Sequence, residues 1–147
     1  MKIEAGVAAF SPCGDRFVPE GYREGIDMRQ QLEQLAQIKG VSGVPILLPL
    51  PGYDDPLKLR DLMKEYHLVI GTVCPDIYGK AYWKNGSLSC LDSAVRKEAV
   101  RVIKESIDFC RAVDGADILL WFAHDGYDYT FEDDYHTRWN NLLEGLD

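Results

Sequence analysis

Four times along the chain a short apolar run, closed by Pro or Gly, gives way to a longer stretch whose apolar residues recur at helical spacing. Runs of the first kind read as strands and stretches of the second as amphipathic helices. Strict alternation of the two specifies parallel strands joined by right-handed helical crossovers. The expected fold class is therefore α/β, four successive βα units forming one domain over residues 1–147.

Taken in order, the first strand is expected over Ile3–Phe10, stopped by Ser11-Pro12-Cys13-Gly14. After a polar loop, Asp27 is placed to cap a helix striped by Met28, Leu32, Leu35 and Ala36, with Gly40 suited to its end. Val44–Leu48 reads as the second strand, although Pro45 lacks a ladder donor. Asp54 or Asp55 before Pro56 opens the next helix, with Leu59, Leu62, Met63 and Tyr66 on one face. Leu68–Cys74 is the third strand. A long loop over Asp76–Leu91 carries Tyr78, Tyr82, Trp83 and the Asn85-Gly86 turn, and loops of this length are more often functional than idle. From Asp92 a helix striped by Val95, Ala99, Val102, Ser106, Cys110 and Val113 is expected. The apolar run from Ala116 then reads as a fourth strand buried on both faces. Tyr135, Trp139, Leu142, Leu143 and Leu146 mark a last amphipathic helix.

With 16 Lys and Arg against 24 Asp and Glu, the net charge of -8 offers no footprint for nucleic acid or for an anionic membrane surface. No apolar run reaches the roughly 20 residues of a membrane span. Four scattered cysteines and no apolar leader point to a reduced, cytoplasmic setting, the thiols serving as small core hydrophobes. No glycine-rich phosphate loop follows any strand, which sets aside dinucleotide and P-loop readings.

The fourth strand runs into His124, Asp125, Gly126 and Tyr127, and the carboxyl end of a parallel strand is where such sheets place chemistry. His124 there could shuttle a proton, with Asp125 orienting it or holding a hydroxyl; equally, the imidazole could cap the following loop. Tyr127, Tyr129 and Phe131 could form a wall for a sugar ring, or could pack on one another. The acids and histidines over 124–136 are dense but match no zinc spacing, and Asp133-Asp134 read better as helix-start acids, so no metal site is assigned to this chain. Two open sheet edges favour association, either with another copy or with a complementary subunit.

Three segments carry a family resemblance: Asp15-Arg16-Phe17-Val18-Pro19-Glu20-Gly21-Tyr22-Arg23-Glu24, Lys39-Gly40-Val41-Ser42-Gly43-Val44, and Trp121-Phe122-Ala123-His124-Asp125-Gly126-Tyr127-Asp128-Tyr129-Thr130-Phe131. Together they resemble the amino-terminal half of a xylose isomerase-like (β/α)8 TIM barrel. The likeness is nearest to L-rhamnose isomerase-like proteins and the catalytic subunits of C-glycoside deglycosidases. It implies a metal-dependent sugar isomerase or epimerase acting by proton transfer next to a sugar carbonyl, with a C-glycoside lyase subunit or a non-catalytic half-barrel as alternatives. It also implies His124 as the catalytic group and Asp125, Tyr127, Tyr129, Phe131, Trp121, Arg16 and Phe17 as contacts to a sugar or glycoside. The divalent metal of such barrels (Mn, Mg or Co) is held by strands five to eight, which have no counterpart here. The chain alone is therefore expected to be inactive, an amino-terminal portion or a truncated one, requiring a complementary half-barrel, a partner subunit or self-association.

Overall fold

The computed structural model describes residues 3–129 and 131–147; Thr130 of the third motif lies outside them. Four parallel strands lie in the order β1-β2-β3-β4, each followed by a helix. They are β1 (Ile3–Glu4), β2 (Val41–Leu47), β3 (Val69–Cys74) and β4 (Asp117–Ile118). The helices are α1 (Met28–Ala36), α2 (Pro56–Glu65), α3 (Ser93–Ala112) and α4 (Tyr135–Leu146). This is a half-barrel of four βα units.

Each helix starts where a short acidic side chain can take up orphaned backbone donors. Asp27 accepts from Gln30 N while the Gln30 side chain returns a bond, a full capping box. Asp55 and Asp92 cap α2 and α3, and Pro56 opens α2 at a position where its missing N–H costs nothing. Between sheet and helices Leu32, Leu35, Val44, Ile46, Leu59, Met63, Ile70 and Val73 form the main core. A second cluster, Ile77, Trp83, Leu88 and Ala99, sits beneath the β3–α3 loop.

Pro45 lies inside β2 after all. Val44 faces Ile70 and Ile46 faces Val73, so β3 carries one residue more than β2 across the proline. A bulge at that point accommodates a strand residue with no donor.

Four expectations are corrected. The first strand is far shorter than Ile3–Phe10, because Val7–Phe10 winds into a 3-10 turn. Its three-residue period puts Val7 and Phe10 together against the main core, which an extended strand could not do. The fourth strand is not buried on both faces: Leu119 and Trp121 are 46% and 54% exposed, since among the described residues β4 pairs with β3 alone and the helices cover one side. The apolar stripe of α4 is turned outward, with Tyr135, Trp139, Leu143 and Leu146 exposed. Arg138 is the residue of α4 that is buried, and α4 approaches its neighbours through Arg138, Asn141, Leu142 and Gly145. The cysteines divide as well: Cys74, Cys90 and Cys110 are buried, but Cys13 is exposed.

Candidate active site

Strand geometry brings the loops after β3 and β4 side by side at one end of the sheet. Tyr78 follows β3 and its ring lies 6.4 Å from that of Trp121, which follows β4. Burial pushes the Tyr78 phenol and the neighbouring Cys74 thiol upward, so both keep their protons at neutral pH. His124 is exposed, on a turn closed by the Asp125 N–H donating to Phe122 O at 3.3 Å.

Asp125 has a different setting from its neighbour. Its Oδ1 accepts from the backbone N–H groups of Ser87 (3.0 Å) and Ser89 (2.7 Å), and its Oδ2 from Ser87 Oγ (2.6 Å). Both serines are buried. Close by, Arg138 Nε donates to Asp133 Oδ2 at 2.6 Å and its Nη1 to Asn85 O at 2.9 Å. Gly86 sits among them at φ +97°, where an added β-carbon would lie 3.0 Å from Ser89 Oγ and 3.2 Å from Asp125 Oδ1.

The remaining residues expected at the site fall into separate groups. Tyr127 meets Tyr135 edge-on at 6.1 Å, and Tyr135 stacks on Trp139 at 6.3 Å, so this aromatic row runs along α4. Tyr129 and Phe131 stand open, Phe131 97% exposed at φ +68°. On the β1–α1 loop the Arg16 guanidinium lies 4.4 Å over the Phe17 ring. That loop is shaped by Asp15, which accepts from Phe17 N and Val18 N at 2.8 Å and from the Tyr22 hydroxyl at 3.0 Å.

Among the described residues no three His, Cys, Asp or Glu side chains converge on a common point. Several acids of the 124–136 stretch have other work. Glu132 accepts from Asp128 N and Tyr129 N, Asp133 holds Arg138, and Asp134 caps α4. The described residues therefore do not by themselves form a divalent-metal site.

A cavity of about 640 Å³ opens between the β2–α2 loop, the β3–α3 loop and α3, floored by Leu48, Pro49, Tyr53, Trp83, Val102 and Phe109. Tyr82 and Trp83 of the β3–α3 loop line it, but His124, Asp125, Trp121 and Arg16 do not, and its Arg101 is already engaged by Glu98 and Glu105.

The sequence pointed to His124, Asp125 and Trp121 but missed Ser87, Ser89 and Arg138. Arg138 carries the one readable signal, a cation placed within a turn of Asp133-Asp134; the serines carry none, since their role depends on a loop fold.

No protein-family model and no curated protein matches the sequence. Solved structures do match its fold. D-allulose 3-epimerase from Methylomonas sp. superposes with a TM-score of 0.68 at 15% identity, over 99% of this chain and 45% of that one. L-ribulose 3-epimerase gives 0.62 at 17% identity, over 98% and 43%. An AP endonuclease, family 2, from Brucella melitensis gives 0.63 at 13% identity, over 99% and 47%. The likeness is one of fold, and the chain spans less than half the length of each of these proteins.

Proposed function

We propose that the chain is the amino-terminal portion of a sugar isomerase/epimerase-like enzyme, with His124 moving a proton at the carbon beside a sugar carbonyl. What carries the reading is the exposed imidazole of His124 beyond the end of β4, with Trp121 and Tyr78 on the same rim, in a fold shared with ketose 3-epimerases. A neutral imidazole can take that proton and return it. Trp121 offers an apolar face to the ring's C–H surface. The fold alone would equally suit the endonuclease, but a net charge of -8 disfavours a phosphate backbone.

Any divalent metal would need ligands beyond those described here, and the chemistry assigned to this chain does not route through one. Completion of the site calls for the rest of a barrel. The outward apolar stripe of α4 and the unpaired sides of β1 and β4 support pairing with a complementary half or another copy. That same surface also favours the second reading, a non-catalytic half-barrel subunit; a C-glycoside lyase subunit would use the same rim.

The test is a ketopentose and ketohexose panel in D2O, with the chain alone and with the polypeptide that completes its barrel. Deuterium entering the carbon beside the carbonyl only in the completed barrel is the expected result. A completed, folded barrel that exchanges no proton on any ketose sinks the isomerase reading.

A further inference from the structure

We infer that Asp125 is a positioning residue: it locks the turn bearing His124 onto the β3–α3 loop, and does so without needing its charge. The role rests on the proposed reading of His124, but the lock itself is defined by geometry alone.

The turn from Phe122 to Asp125 is fixed at both ends. Phe122 packs against the second core cluster, and the Asp125 N–H closes the turn onto Phe122 O. The other end is held by the Asp125 carboxylate, with three bonds of 2.6–3.0 Å from Ser87 and Ser89. Those serines are 36 and 38 residues away in sequence, on the neighbouring loop. They cannot yield easily, because Ser87 and Leu88 are fully buried and the segment is packed closely about Gly86, whose φ of +97° suits glycine. Arg138 fastens the same segment from the side through Asn85 O. His124 is thus carried on a turn anchored in two places while its own side chain stays open.

The donors also show what the anchor requires. Two are backbone N–H groups on a single oxygen, which an amide oxygen can accept equally well. The third is the Ser87 hydroxyl, which can accept as well as donate. An asparagine side chain can therefore reproduce all three contacts, with its NH2 donating to Ser87 Oγ. An alanine can reproduce none.

Amide exchange of the full chain tests the lock without any substrate. Asp125→Ala should expose the Ser87 and Ser89 amides to exchange roughly tenfold faster or more, since the side-chain acceptor that holds both N–H groups is lost. Asp125→Asn should restore the protection. Ser87→Ala, which removes one hydroxyl, keeps the test open if Asp125→Ala does not fold; it should speed exchange at Ser89 while Asp125→Asn does not. Unchanged exchange at Ser89 in both Asp125→Ala and Ser87→Ala overturns the lock. In the completed barrel, kcat should fall on the order of 100-fold in Asp125→Ala and return in Asp125→Asn, as expected when a reacting group is displaced by about 1 Å. Protection restored by Asp125→Asn without turnover would show that the charge itself acts, and would overturn the positioning role. An inactive wild-type barrel with normal Ser87 and Ser89 protection would sink only the isomerase reading.

Discussion

The Glu4 side chain lies directly on the face of Gly71, so that a β-carbon built on that glycine would come within 1.3 Å of Glu4 Oε1. Gly43, on the strand between them, is also crossed, with its β-carbon position 3.0 Å from Glu4 Cγ. Two strand glycines thus form the slot that a carboxylate occupies on the side of the sheet away from the helices.

Filling that slot should cost little, because what stands in the way is the end of the exposed, flexible Glu4 side chain, which can swing clear. Gly71→Ala is expected to destabilise the chain by about 1 kcal/mol or less, and Gly43→Ala by no more. Adding Glu4→Ala to Gly71→Ala should recover most of the loss. Urea unfolding of the two single variants and the double reads this directly, and equal losses with and without Glu4 would show that the glycine serves some other purpose.

Arg138 and Asp133 form an ion pair whose side chains are only 9% and 13% exposed. Removing one partner of such a pair leaves the other uncompensated, at a cost of about 3–5 kcal/mol. Arg138→Met should approach that figure, because Asn85 O loses its donor too. Arg138→Met with Asp133→Leu should fare better than Arg138→Met alone in the same denaturation experiment; a double variant no more stable than the single one contradicts the pairing.

Acid should weaken the fold through its helix caps. The Thr137 hydroxyl, with backbone donors behind it, holds the Asp134 carboxyl below its ordinary value, and the Lys58 N–H does the same for Asp55. A depressed carboxyl binds its proton less readily folded than unfolded. Its contribution is complete well above the ordinary Asp pKa of about 3.9 and is lost as pH falls through the lower folded value. Melting temperature should therefore hold near neutrality and drop below about pH 4. Asp134→Asn and Asp55→Asn should each flatten that drop, and an unchanged acid slope in both would discount the caps.

His124→Gln should leave stability unchanged, since the side chain is exposed. In the completed barrel it should slow deuterium exchange on the order of 100-fold or more, the usual scale for a lost proton-transfer group. Retention of the wild-type rate would remove His124 from the chemistry.

Much of the fold was legible because periodicity and caps report on local structure. Asp27, Asp55 and Pro56 stood where the helices begin, and the stripe Ala99, Ser106 and Cys110 faced inward as read. Misreadings arose where tertiary partners decide the outcome. The stripe of α4 is periodic, yet periodicity cannot say whether the apolar side or the Arg138 side meets the rest of the chain. Val7 and Phe10 suit a strand by composition but meet the core only by coiling. At the rim, His124 and Asp125 were visible as residue types, whereas the carboxylate's partners are set by a loop whose path no local pattern encodes.

Pro45 bears on how the sheet finds its alignment as well as on how the finished sheet looks. A parallel pair slipped by one residue would send every side chain to the wrong face, and apolar runs such as those of β2 and β3 resist such slips poorly on pattern alone. Here the donor gap of β2 lies where β3 carries its surplus residue, and a slipped pairing would set that gap against an ordinary ladder position instead. The proline thus marks the register in which Val44 and Ile46 both reach the helix side.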